Sequence, residues 1–178
     1  MSIRLFLSLC LSLTLATTAL VGNAWGLERH YKEGLQLLKQ RYFALATEKF
    51  RKALQQESDN AEIWFALGVS LYQQQDLLGA YQAYKSGLRL LPELALQARL
   101  RSGLGDIYFE QQNFNQAIAA YLQALEYQPG WSGVRLKLAT ALLREQRFEE
   151  ALFHSEQLQQ QSLPPAESLY LQSLIYLA

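Results

Sequence analysis

The stretch WFALGVSLYQQQDLLGA, residues 64–80, has the pattern of an amphipathic helix with a glycine in its middle. Leu67, Leu71 and Tyr72 lie at helical spacing around Gly68. A glycine inside a helix costs about 1 kcal/mol relative to alanine, because its freer backbone has to be ordered. Packing must offset that cost, so the position of Gly68 is a useful marker for the rest of the chain.

Small residues recur along the chain at nearly the spacing that Gly68 sets. They are Gly34, Gly68, Gly105 and Ala139, which are separated in turn by 34, 37 and 34 residues. An alanine follows twelve residues after each of them, at Ala46, Ala80, Ala117 and Ala151. Four residues later come Phe50, Tyr84 and Tyr121, whereas the fourth copy has Ser155. This register indicates four copies of one structural unit.

The repeated pattern resembles the tetratricopeptide repeat (TPR). The second copy reads Trp64-x2-Leu67-Gly68, then Ala80-x3-Tyr84 and a closing proline at 92, close to the family pattern. The third copy has Leu104-Gly105-x2-Tyr108, Ala117-x3-Tyr121 and a proline at 129. The resemblance implies an all-α fold, a right-handed α-solenoid of helix-turn-helix repeats with a C-terminal capping helix.

The repeat register divides residues 27–163 into four units and leaves a segment at each end. The repeats fall at about 27–60, 61–94, 98–131 and 132–165, and residues 166–178 are expected to form the capping helix. The three extra residues before the third repeat predict an additional turn at the start of its first helix. Asp76 and Asn113 are suitable N-caps for second helices, and Asn113 has capping-box spacing to Gln116.

Residues 1–26 have the composition of a signal peptide or an N-terminal membrane anchor. Arg4 is their only charge, residues 5–21 are mostly apolar, and small residues follow. Cleavage after Ala24 or Gly26 would export the protein to the periplasm or another extracytoplasmic space. An uncleaved segment is long enough to span a membrane, and the basic residues after it would favour a repeat domain facing the cytoplasm.

The composition argues against several classes of function. Sixteen basic residues balance sixteen acidic ones, so we expect no nucleic-acid partner. The only cysteine, Cys10, lies in the apolar N-terminal segment, and the chain has two histidines and no glycine-rich phosphate loop. We therefore expect no catalytic, cofactor or metal site, and a protein that is not an enzyme.

The resemblance also implies a concave groove, lined by the first helix of each repeat, that holds a partner protein. The groove candidates are Tyr31, Leu35, Phe65, Val69, Tyr72, Arg99, Asp106, Phe109, Leu136, Thr140 and Leu143. Cochaperones of this family bind the acidic tails of Hsp70 and Hsp90 through a clamp of Lys, Asn and Arg, and that clamp is not present here. The groove is expected to bind an apolar or amphipathic segment of an unidentified protein. Alternatively, some of these aromatics pack between neighbouring first helices.

The capping segment offers a second candidate contact. Its apolar residues lie on nearly all sides, and Leu171, Leu174 and Ile175 could form a patch for a dimer, a partner or a membrane. The alternative is a simple cap over the last repeat.

Together these features predict a non-enzymatic adaptor or scaffold that assists assembly or organisation of a membrane-associated complex. The architecture also resembles small TPR assembly factors for photosystem I, which would imply anchoring in a thylakoid membrane. A third possibility is a structural or oligomerising envelope protein that acts through the C-terminal helix.

Overall fold

The computed structural model describes residues 28–159 and 166–177, and every regular element within them is an α-helix. Helix α1 covers residues 28–39. The others are α2 Phe43–Gln56, α3 Ala61–Gln73, α4 Leu77–Arg89, α5 Leu94–Glu110, α6 Phe114–Tyr127, α7 Ser132–Arg144, α8 Phe148–Gln159 and α9 Ala166–Leu177. The all-α prediction is confirmed, whereas the signal or anchor at 1–26 lies outside the described residues.

The helices form consecutive pairs, as the repeat register requires. From α2 to α9, each helix packs against the next one along the chain. In addition, α3 contacts α5 and α7 contacts α9, so first helices of successive units lie side by side. This stacking of helix pairs is the solenoid that the repeat pattern predicts.

The recurring glycines lie against aromatic rings. A Cβ atom built on Gly34 would lie 2.6 Å from the Phe50 ring, and one on Gly68 would lie 2.5 Å from Cδ1 of Tyr84. Gly105 has the same relation to Tyr121, whose Cε1 would lie 2.5 Å away. Only a residue without a side chain admits a ring so close to the helix backbone, and the buried contact offsets the propensity cost of glycine.

The repeat spacing also predicts that Gly68 faces Ala80 across the turn. The three atoms nearest to a Cβ built on Gly68 all belong to the Tyr84 ring. Ala80 lies one turn before Tyr84 and is fully buried. The ring is therefore the group that lies closest to the glycine.

The fourth repeat solves the same packing problem with smaller side chains. Ala139 and Ser155 are both fully buried, and the Ser155 hydroxyl donates to the Leu152 carbonyl at 2.9 Å. A Cβ is tolerated at position 139 because position 155 carries no ring. The replacement of glycine by Ala139 and the replacement of the aromatic residue by Ser155 therefore compensate for each other.

The turns inside the repeats also keep the register of the glycines. Left-handed backbone, with φ between 59° and 63°, occurs at Arg41, Gln75, Gln112 and Gln146. Each lies seven residues after a small residue of the register. At the second turn the Asp76 N–H donates to the Leu71 carbonyl at 3.0 Å, which is the bond of a Schellman motif.

The predicted N-caps are confirmed in position and only partly in chemistry. The Asp76 carboxylate accepts from the Gly79 N–H at 2.9 Å. Asn113 occupies the same position before α6 but makes no side-chain cap bond, so the capping box with Gln116 does not form. Backbone angles at the two positions are nearly the same, φ −80° and ψ 73° against −84° and 63°, so the side-chain rotamer makes the difference.

Helix α5 carries the predicted additional turn. It has 17 residues, whereas α3 and α7 have 13 each. It begins at Leu94, so the extra residues extend the third repeat toward the second. Among the described residues, no helix combines the length and the apolar composition needed to cross a membrane.

Candidate functional site

The predicted groove residues all lie on first helices and are all half-buried. Helix α1 carries Tyr31 and Leu35, and α3 carries Phe65, Val69 and Tyr72. The remaining ones are Arg99, Asp106 and Phe109 on α5 and Leu136, Thr140 and Leu143 on α7. Their partial burial leaves each of them one surface that another molecule could contact.

Five of these residues line one open cleft between α3, α5 and α7. Its volume is about 430 Å³, and the predicted residues in its lining are Tyr72, Asp106, Phe109, Leu136 and Thr140. Gln73, Glu110, Tyr121 and Lys137 also line the cleft, although none of them was a groove candidate. Because each helix comes from a different repeat, the cleft exists only when the repeats stack.

The aromatic candidates nearer the N-terminus serve mainly the core. The Tyr31 ring lies 6.1 Å from that of Phe50, and the Phe65 ring lies 6.0 Å from that of Tyr84, centre to centre. Leu35 and Val69 pack against the same core. The rings of Tyr31 and Phe65 thus pack against the second helices of their own repeats.

Arg99 is held inside the protein's own contacts. Its guanidinium carbon lies 4.1 Å above the centre of the Phe65 ring, a cation–π arrangement. One guanidinium nitrogen also lies 3.3 Å from a carboxylate oxygen of Glu62. Arg99 was predicted to face the groove, and its guanidinium group has two partners within the protein.

Asp106 is the centre of a polar network across the cleft. Its carboxylate accepts a hydrogen bond from the Tyr121 hydroxyl at 2.8 Å. The Lys137 ammonium on α7 donates to both carboxylate oxygens at 2.7 and 2.8 Å. Lys137 therefore neutralises Asp106 and links α5 to α7. Tyr121, the aromatic residue of the third repeat, thus reaches the cleft through its hydroxyl group.

Glu110 stands at the edge of the cleft with a single polar contact. Its carboxylate accepts from the Tyr72 hydroxyl at 3.3 Å, and it forms no ion pair with any side chain that the structure describes. The residue lies one helical turn after Asp106, on the same face of α5. Extending the groove series by that turn would have identified it from the sequence.

The two cleft tyrosines remain neutral hydrogen-bond donors at ordinary pH. Burial, together with the charges of Asp106 and Glu110, raises the pKa of Tyr72 to about 12. Burial and the Asp106 carboxylate raise the pKa of Tyr121 as well. Both hydroxyl groups therefore lie in an electrostatic field set by the nearby carboxylates.

The cleft offers an apolar wall and a polar edge. Phe109 and Leu136 supply the wall, while Asp106, Lys137 and Glu110 supply charge at one side. The residues that the structure describes include no group of three or more His, Cys, Asp or Glu side chains that could hold a metal ion. The arrangement is suited to holding an apolar side chain whose neighbour is polar.

One residue of the apolar patch predicted on the capping helix, Ile175, is buried. Ile175 is 8% exposed and belongs to the buried cluster that includes Leu138 and Leu142 of α7. Leu174 is half-buried, and the side chain of Leu171 lies outside the described part of the chain. The cap needs an apolar face for α7, and Ile175 supplies it. Among the side chains of α9 that the structure describes, Leu169 and Tyr176 are exposed.

Solved structures with the same fold include YrrB, described as a TPR protein with an unusual peptide-binding site. Its chain is 19% identical, with a TM-score of 0.70 over 83% of this chain and 75% of that one. The Cut9–Hcn1 tetramer of the APC/C gives a TM-score of 0.76 at 19% identity, over 82% of this chain and 29% of that one. MamA gives 0.70 at 17% identity, over 91% and 87%. These likenesses confirm the solenoid.

Two curated proteins are similar in sequence. The general transcriptional corepressor ssn6 of Schizosaccharomyces pombe is 29% identical over 66% of this chain and 10% of its own length. A DnaJ homolog subfamily C member 7 homolog of Dictyostelium discoideum is 30% identical over 68% of this chain and 26% of its own length. The chain thus spans a tenth and about a quarter of these relatives.

The family model for the tetratricopeptide repeat matches residues 31–95 and 102–176. These ranges cover most of the described helices and contain the glycine–aromatic contacts of the first three repeats. On the match and on the stacked helix pairs, the chain belongs to the tetratricopeptide repeat family.

Proposed function

We propose that this protein is a non-enzymatic interaction scaffold whose groove holds an apolar or amphipathic segment of another protein. The cleft between α3, α5 and α7 is the observation that carries the proposal. It is open to solvent, about 430 Å³ in volume and lined by residues from three successive repeats. A peptide-binding site is part of the description of YrrB, which shares the fold.

The cleft is large enough to admit a bulky side chain. Phe109 and Leu136 offer apolar surface that a Leu, Ile or Phe of a partner would cover. Burying such a side chain contributes about 1.5–3 kcal/mol. Neighbouring polar groups, above all the Asp106–Lys137 pair, would fix the direction of the segment through hydrogen bonds.

Thr140→Arg is the variant that tests this site. Thr140 lines the cleft, and its hydroxyl bonds only to the Leu136 carbonyl of its own helix, at 2.9 Å. A long cationic side chain there should fill the cleft and leave the helix intact. Peptides selected on the parent protein from a displayed random library should bind the variant about tenfold or more weakly by fluorescence anisotropy, a loss of about 1.4 kcal/mol.

Leu78→Arg provides the matched control. Leu78 is 68% exposed on the second helix α4 and lies outside the cleft. Its replacement adds the same charge and length without touching the candidate site, so selected peptides should bind this variant as they bind the parent. If no peptide is enriched, or if both variants bind equally well, the cleft is not the binding site.

We also propose that the scaffold works at or beyond a membrane, as part of a membrane-associated assembly. This proposal rests on the sequence of residues 1–26, with its single charge and its apolar run at 5–21. A retained segment would anchor the groove beside the membrane, and a cleaved one would release it into an extracytoplasmic space.

A further inference from the structure

We infer that Glu110 makes the cleft selective for partner segments that carry Lys or Arg beside the bulky apolar side chain. This inference rests on the proposed function of the cleft and adds the charge of its occupant. It follows from the pairing of charges around the cleft and from the place of Glu110 in its helix.

The charges of the cleft do not balance. Lys137 lies within 2.8 Å of both Asp106 oxygens, so this pair contributes little net charge. Among the residues that the structure describes, the polar partner of Glu110 is the neutral Tyr72 hydroxyl, at 3.3 Å. The cleft therefore has a residual negative charge at the edge where Glu110 stands, next to the apolar surface of Phe109.

The two nearby arginines do not form an ion pair with the Glu110 carboxylate. Arg99 is committed to the Phe65 ring and to Glu62. Arg144 and Glu110 both line a second cavity beside the cleft, but no ion pair joins them. The carboxylate thus keeps a solvent-facing side that a partner's ammonium or guanidinium group can reach. The raised pKa of Tyr72, to which Glu110 contributes, reflects the same negative field.

Glu110 also stands where a helix disfavours an acid. It is the last residue of α5, at the negative end of the helix dipole, where cations are favoured. The residues at the same place in the other repeats are Lys39, Gln73 and Arg144. Only the third repeat, at the centre of the cleft, has an acidic residue at this position. Glu110 therefore destabilises its helix at the point where it faces the cleft.

A basic amphipathic segment matches both properties of the site. Its apolar side chain would enter between Phe109 and Leu136, and its cation would reach Glu110 at the rim. An acidic segment would meet Glu110 with a like charge. The groove is thus opposite in preference to the clamp that binds acidic chaperone tails.

Parallel selection of a displayed random peptide library on the parent, Glu110→Lys and Glu126→Lys proteins tests this. Glu126 is an exposed acid near the C-terminal end of α6 and does not line the cleft. The parent and Glu126→Lys should enrich Lys or Arg next to an apolar residue, and Glu110→Lys should enrich Asp or Glu there. The selected basic peptide should bind Glu110→Gln about two- to fivefold more weakly than the parent, the range of an exposed ion pair.

The melting temperature separates a change in recognition from a change in folding. Removing an acid from a helix C-terminus should leave the melting temperature of Glu110→Lys unchanged or raise it. Equal preference for basic and acidic peptides in all three proteins, with binding still lost in Thr140→Arg, would overturn the role of Glu110 and leave the cleft intact. Peptides that bind Thr140→Arg as well as the parent would overturn the proposed site itself.

Discussion

At Tyr84 a single ring is held between two glycines of different helices. A Cβ on Gly68 of α3 would lie 2.5 Å from its Cδ1, and one on Gly103 of α5 would lie 2.6 Å from its Cε2. The ring is 3% exposed, so it has no free space into which to move. Tyr84 thus packs on the repeat-marking glycine of its own repeat and, through Gly103, joins the second repeat to the third.

Gly68→Ala should therefore destabilise the protein, although alanine favours helix by about 1 kcal/mol. The added methyl group would overlap the Tyr84 ring, and overpacking of this kind costs about 1–3 kcal/mol. Urea unfolding followed by circular dichroism measures the change. A Gly68→Ala protein as stable as the parent would show that the ring can yield.

The fourth repeat supplies the control for that experiment. It carries Ala139 with Ser155 in place of glycine with an aromatic ring, and both residues are buried. In a Tyr84→Ser background, Gly68→Ala should cost little or stabilise the helix, because no ring opposes the methyl group. The difference between the two backgrounds is the coupling energy of the contact.

At the scale of the helix, the four turns inside the repeats share one backbone solution. Each has a non-glycine residue in the left-handed region, although glycine adopts that region at lower cost. The repeat register and the Schellman hydrogen bonds fix the left-handed conformation at these residues, whatever side chain is present. The ends of the first helices thus store a small, repeated strain.

Gln75→Gly should relieve that strain at one turn. Gln75 is exposed and has φ 63°, so glycine there should stabilise the protein by about 0.5–1 kcal/mol. Gln82→Gly is the matched control, because Gln82 is an exposed glutamine inside α4. Glycine at that position should lower the free energy of unfolding by about 1 kcal/mol. Thermal melts of both proteins show whether each glycine raises or lowers the stability. Equal destabilisation by the two substitutions would contradict the left-handed conformation assigned to Gln75.

For the whole molecule, stacking of repeats creates what no single repeat contains. The cleft needs Tyr72 from α3, Phe109 from α5 and Leu136 from α7 at once. The capping helix covers the last pair through Ile175, which is buried against α7.

The fate of residues 1–26 decides where that groove works. The proposal of a membrane-associated scaffold predicts either a mature chain that begins at residue 25 or 27, or an intact chain that sediments with membranes. Intact-mass measurement of the native protein, combined with membrane fractionation, distinguishes the two. An intact chain found entirely in the soluble fraction would contradict both.

The sequence by itself determined the repeat, the helix pairs and the additional turn in α5. These follow from local periodicity: the spacing of small residues, the turn residues and the prolines act within one repeat. The same periodicity placed Tyr72, Asp106, Phe109, Leu136 and Thr140 on first helices, which made them groove candidates.

Only the tertiary structure decided what these side chains contact. The Tyr84 ring lies closest to Gly68, Arg99 stacks on Phe65, and Ile175 packs into the core. The pairing of Asp106 with Lys137, which leaves Glu110 without a cation, joins residues 31 positions apart. Such contacts depend on rotamers and on the stacking of neighbouring repeats, and neither is encoded in the spacing of residues within a repeat.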